Sequence, residues 1–143
     1  MDYSKLLEQQ YQQIQRALLH LKYSYDKVLN LSPDPKNLST EDLETWEGFI
    51  ARFARVSDIF LSKYLRTFVL KGDPAFRGSL RDFVDQAEKL GLLDDAEAWM
   101  AIRELRNLSA HEYTDEKLLP LFVATRVEAP RLLALCSGLK SCG

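Results

Sequence analysis

Leu7, Ile14, Leu21 and Val28 recur every seven residues, and Tyr11, Leu18 and Tyr25 stand four places after the first three of them. Only a helix returns side chains to one face at alternating intervals of four and three. The spacing predicts a first helix over roughly residues 3–30, its apolar seam turned toward other helices. The stretch SPDPKNL, residues 32–38, stops it with two prolines, which remove backbone donors and fix φ.

The same reading continues along the chain. Ser39 offers an N-cap, with acidic residues at 41, 42 and 44 in the first turn. Leu43, Trp46, Ile50, Phe53, Phe60 and Tyr64 follow at helical spacing and predict a second long helix to about Leu70, which KGDPAFRG breaks. Ser79 caps a shorter third helix, SLRDFVDQAEKL, and Gly91 ends it in the position where left-handed backbone is needed. Asp94 with Glu97 predicts a capping box for a fourth helix. A last helix starts at Thr114 or Pro120 and carries Pro130, where a bend is expected. No alternating apolar strand of useful length occurs. The expected fold is all-α: an antiparallel four-helix up-and-down bundle with an additional short helix, one domain over residues 1–143.

Charge and cysteine content narrow the partners. The formal net charge is −2, which gives no overall attraction for nucleic acid or an anionic membrane, so any such contact needs a local basic patch. No apolar run is long enough to span a bilayer, and MDYSKLLEQQYQQIQ lacks the apolar stretch of a signal peptide. Cys136 and Cys142 have no histidine nearby and lack the ligands of a closed zinc site. They read as core filling and a tail thiol in a reducing cytoplasm. There is no HExxH, no cysteine ladder and no pair of aspartates near His111, so no metal or other cofactor is expected.

The residues that carry chemistry are concentrated in RELRNLSAHEY, residues 103–113, which holds one of only two histidines. Arg103, Arg106 and Asn107 are neighbours on a helix. Arg106 and His111 would point about 140° apart on an unbroken one. For both to reach one phosphate, the chain must leave helical geometry near Ser109, or a second subunit must supply one of them. A histidine that titrates near neutrality can move the proton of a ribose 2′-OH or of a leaving oxygen. An arginine can hold the added negative charge of a pentavalent phosphorus through forked hydrogen bonds. Such a pair performs phosphodiester transfer, and a 2′-OH nucleophile restricts the substrate to RNA. Solvated helix charges and a helix-end histidine are the plainer reading of the same residues.

Arg106-Asn107-Leu-Ser-Ala-His111-Glu-Tyr113 resembles the Arg-x(4–6)-His signature of HEPN-domain ribonucleases. More narrowly, it resembles the Arg-x4-His-x-Tyr form of HepT-like toxins, long described as nucleotidyltransferase substrate-binding proteins. The resemblance extends to length and helical pattern, with the motif as its specific part. It implies Arg106 and His111 as the catalytic pair, with Asn107 as a helper at the same site. It further implies a homodimer with the two motifs facing each other, and a nucleotidyltransferase antitoxin that silences the toxin by placing AMP on Tyr113. A subunit that docks on a nucleotidyltransferase without cutting RNA is the alternative. Glu104 and Glu112 flank the motif and oppose RNA binding.

Other polar residues are weaker candidates. Arg52, Arg55 and Asp58 can share one face of the second helix, with Arg55 and Asp58 as an ion pair. A solvated face is the simpler expectation. The functional one has Arg52, Arg55 and Arg103 lining an RNA groove and Asp58 orienting a motif residue. Arg77 and Arg81 follow the Gly-rich break as further backbone contacts, again with solvated charge as the simpler reading. His20, between Leu19 and Leu21, receives no role. Tyr3, Tyr11 and Tyr25 are bulky enough for a dimer seam, which packing within the chain explains equally well.

Overall fold

The computed structural model of the chain describes residues 1–111, 113–135 and 139. Among these residues there are helices and connections and no strand. Helix α1 is Tyr3–Val28, and a single 3-10 turn, Pro35–Asn37, leads to α2, Thr40–Ser57. A π-helical segment, Asp58–Tyr64, joins α2 without a break to α3, Leu65–Gly72. Then come the short α4, Leu80–Lys89, followed by α5, Ala96–Leu108, and α6, Asp115–Leu133. Helix α1 lies along α2 and also meets the π segment, α3 and α6, while α5 is held between α2, α4 and α6.

The heptad stripe of α1 is the inner face: Leu7, Ile14, Leu18, Leu21 and Val28 are buried, and Tyr11 and Tyr25 pack half-buried against the core. Opposite them, Trp46, Phe49, Phe53, Phe60 and Tyr64 are buried from α2 and the π segment. Cys136 and Cys142 lie outside the described residues, as does Glu112.

Local chemistry sets the helix ends. Ser39 accepts from the Asp42 amide to cap α2. At α4, Ser79 accepts from the Asp82 amide while Asp82 accepts from the Ser79 amide, a reciprocal box that satisfies two otherwise orphan donors. Hydrogen bonds from the Ser79 backbone and hydroxyl hold the Asp82 carboxyl below its ordinary value of 3.8. The cap is therefore complete above that value and is lost as pH falls through the lower value of the folded chain. Gly91, at φ +79°, closes α4. The Leu92 amide reaches the Ala87 carbonyl and the Gly91 amide reaches that of Glu88, so two terminal acceptors are satisfied.

Two expectations are corrected. The fourth helix is not capped by Asp94 and Glu97. Asp95 adopts φ 53° and accepts from the Ala98 amide, a left-handed conformation that Asp tolerates better than most residues. Glu88 takes the Ala96 amide, Asp94 instead accepts from Arg131, and Glu97 pairs with Arg81. Second, Arg55 does not pair with Asp58, whose two oxygens are both taken by Arg106. Of the two starts expected for the last helix, the chain takes Thr114, which is the N-cap, and Pro120 lies inside α6. The π segment was not anticipated.

Candidate functional site

Helix α5 ends at Leu108, and two tight turns follow: the Ala110 amide reaches the Asn107 carbonyl and the His111 amide reaches that of Leu108. The Ser109 hydroxyl donates to the Arg106 carbonyl at 2.6 Å, taking up one of the acceptors that the helix end leaves open. This departure from helical geometry brings Arg106 and His111 to the wall of one depression of about 660 Å³.

That depression lies between α2 and α6. Leu43, Ile50, Leu118 and Phe122 form its apolar walls, and Arg106, Ser109, His111, Tyr113 and Glu47 are the polar and ionisable side chains on it. His111 is exposed and Tyr113 half-buried. Their rings stand edge to face with centroids 6.1 Å apart, so the phenol and the imidazole share one mouth.

Arg106 is held from the far side. Its Nε donates to Asp58 Oδ1 at 2.7 Å and its Nη2 to Asp58 Oδ2 at 2.9 Å. The two residues are 48 apart in sequence. This forked hydrogen bond raises the Arg106 pKa above its ordinary value despite partial burial. Because both side chains keep solvent contact, the pair adds only about 1 kcal/mol or less to stability. Its geometric consequence is larger. The pair commits one edge of a guanidinium that carries five N–H donors, leaving three, two on Nη1 and one on Nη2, for an anion.

Arg106 also lines two further depressions. One, of about 810 Å³ between α1 and α2, has Arg16, His20, Arg55, Asp58 and Lys63 on its walls. The other, of about 490 Å³, has Asp58, Lys63, Arg103 and Asn107. Arg106 thus stands where three depressions meet. Asn107 does not share the His111 depression; it opens with Arg103 onto the neighbouring one. Arg52 lines none of the three. Its Nη1 donates to the His20 carbonyl and to the Ser24 hydroxyl, tying α2 to α1. Arg77 turns onto the Pro74 and Phe76 carbonyls, and Arg81 is paired with Asp85 and Glu97.

The sequence reading missed Arg16 and left His20 and Lys63 without roles, though all three line the α1–α2 depression. A signal was present. Gln13, Arg16 and His20 stand three and four apart, a polar row on α1 beside its apolar seam. Nothing local to that row says which helix it faces. Among the described residues no group of three His, Cys, Asp or Glu side chains is placed to hold a metal ion. No described helix is long and apolar enough to cross a membrane.

No protein-family model matches the chain. It is 27% identical over 78 residues to a Haemophilus influenzae protein named "Probable ribonuclease HepT", a match covering 52% of this chain and 53% of that protein. The chain therefore spans about half the length of the curated relative it matches. Half of the chain is related in sequence to a HepT protein, and that relationship, beside its helical fold, supports the HepT-like HEPN family for it.

Proposed function

We propose that the chain is a ribonuclease toxin of the HepT type, cleaving RNA by attack of a ribose 2′-OH on the adjacent phosphate. The observation that carries this reading is the shared depression at the end of α5, which has His111 and the Asp58-held Arg106 on its walls. His111 takes the 2′-OH proton as the 2′-oxygen bonds to phosphorus. Arg106 donates to the non-bridging oxygens as they gain charge, and the bond from phosphorus to the 5′-oxygen breaks. The products are a 2′,3′-cyclic phosphate and a 5′-hydroxyl, whose proton comes from an acid on the opposite side. In a two-fold homodimer with the motifs facing each other, the second His111 supplies that acid. Asn107, next to Arg106 and four residues before His111, is assigned as a helper that positions a phosphate oxygen or fixes the histidine tautomer.

In this reading residues 1–143 form one HEPN-like domain acting in the cytoplasm. Helices α1, α2–α3, α5 and α6 make the antiparallel up-and-down bundle, and α4 is the additional short helix. The reaction as written uses protons and hydrogen bonds alone. Purified protein should cleave single-stranded RNA in excess EDTA and leave cyclic phosphate ends, read by end-labelling before and after acid opening. Activity that vanishes with chelator and returns with added Mn²⁺ or Mg²⁺ would contradict the mechanism. Failure to cut any RNA would leave the non-cutting subunit of a nucleotidyltransferase as the better account.

Tyr113 is assigned to regulation by the nucleotidyltransferase antitoxin. Its half-buried ring stands beside His111 at the mouth of the depression. An AMP on its phenol oxygen would add about one negative charge and a nucleotide's bulk where an RNA phosphate must enter. Tyr113→Phe is expected to keep RNA cleavage and to resist silencing when the nucleotidyltransferase antitoxin of a HepT-like toxin and ATP are supplied. Mass spectrometry should then find AMP on wild type and none on the variant. A folded Tyr113→Phe as inactive as a His111 variant would make the phenol part of the catalytic site instead.

A further inference from the structure

Most arginines of this chain are spent. Among the described residues all but three are engaged with a carboxylate, a carbonyl, a hydroxyl or an aromatic face. The three without such a partner are Arg16, Arg55 and Arg103, on three different helices. Each lines a depression that has Arg106 on its wall. Lys63, exposed and also without a partner, lines both of those depressions. The one carboxylate on their walls is Asp58, and Arg106 occupies both its oxygens. On a chain of net charge −2, all three of these arginines, with Lys63, thus lie on the surface that leads to Arg106. A uniformly solvated surface would intersperse them with acids.

We propose that Arg16, Arg55, Lys63 and Arg103 form a track for the phosphodiester backbone of single-stranded RNA, entering and leaving the Arg106 site. The proposal rests on the ribonuclease reading for its ligand and goes beyond it in assigning a path and its residues. Guanidinium forks and an ammonium suit successive phosphates, which position a strand without reading its sequence. A single strand fits better than a duplex. The apolar depression beside His111 can receive an unstacked base, and splayed bases are available only outside a helix. The track excludes Arg52, whose guanidinium is committed to α1.

The test measures binding apart from cleavage. In a His111→Ala background, a short fluorescein-labelled single-stranded RNA is titrated by anisotropy across about 50–200 mM NaCl. Each track residue replaced by glutamine, singly, should lower the slope of log K against log salt by about 0.7, and all four together by about 2.8. Lys36→Gln with Lys89→Gln, exposed lysines on none of these depressions, should leave the slope unchanged. A fourfold variant that keeps its helical circular dichroism and the full slope overturns the track. So does binding to poly-L-glutamate as tight as to RNA, which would make the surface a dock for an acidic protein. RNA binding with the expected slopes but no cleavage by wild type would sink the nuclease reading and leave the track. Cleavage by wild type with slopes indifferent to all four residues would do the reverse.

Discussion

His111→Ala is expected to slow RNA cleavage by about 10²–10⁴-fold, the usual contribution of a positioned acid–base group, while the fold stays intact. His111 is exposed, follows α5 on a turn and lies outside the core, so its loss costs the core little. Arg106→Ala should lose about 10²–10³-fold, as when one donor to a developing oxyanion is removed. It also frees Asp58, which is partly solvated, so stability should fall by about 1 kcal/mol or less. Arg106→Lys separates charge from geometry. An ammonium cannot hold Asp58 with one edge and a phosphate with the other, so the lysine variant should recover little activity. Single-turnover cleavage beside thermal melts measures both quantities. If His111→Ala cuts RNA within a few-fold of wild type, the imidazole is not in the reaction. If Arg106→Lys is fully active, the forked geometry has no part in it.

Much of this arrangement was legible because it is local. The seam of α1, the Ser39 and Ser79 caps and the Gly91 terminus each depend on residues within a turn of one another. The end of α5 near Ser109 could be anticipated from the demand that Arg106 and His111 converge. What escaped depends on distant packing. That Asp58 orients a motif residue was among the expectations, but that the residue is Arg106, in place of Arg55 on its own helix, is set by packing against α5. The choice of Asp95 over Asp94 as cap turns on Glu88, a residue of the preceding helix that takes the Ala96 amide. The π segment widens the helix just where Asp58 begins it, and such bulges are frequent at functional sites. Its cause is tertiary: Phe60, Leu61 and Tyr64 stay buried through it while Asp58 remains open to α5. Arg16, His20, Arg55 and Lys63 belong to two separate segments of the chain, and only the packing of α1 on α2 makes them one wall.

The wall behind His111 leads to the largest stability effect expected. Trp46 is fully buried and joins three parts of the chain. Its ring stacks on Phe122 of α6 at 4.6 Å and nearly parallel, and meets the edge of Phe49 at 5.8 Å. Its Nε1 donates to the Ser32 carbonyl in the α1–α2 connection at 2.9 Å. Arg126 of α6 stands 5.2 Å from the ring centre while donating to the Val28 and Leu31 carbonyls. Trp46→Ala removes the ring from all of these contacts and opens a cavity the rigid helices cannot close, at a cost of about 3–5 kcal/mol. Trp46→Phe keeps a stacking face and loses the Nε1 donor, so its cost should be smaller. With a urea slope of about 1–3 kcal/mol per molar, the alanine variant's midpoint should fall by more than about 1 M at unchanged slope. Phe122 lines the His111 depression, so the two effects are linked. Where Trp46→Ala is still folded, the loosened α6 wall should weaken cleavage, whereas Trp46→Phe should stay near wild type. An alanine variant that loses under about 1 kcal/mol would show that α6 is held on α2 by other contacts, and that the wall of the site does not depend on this stack.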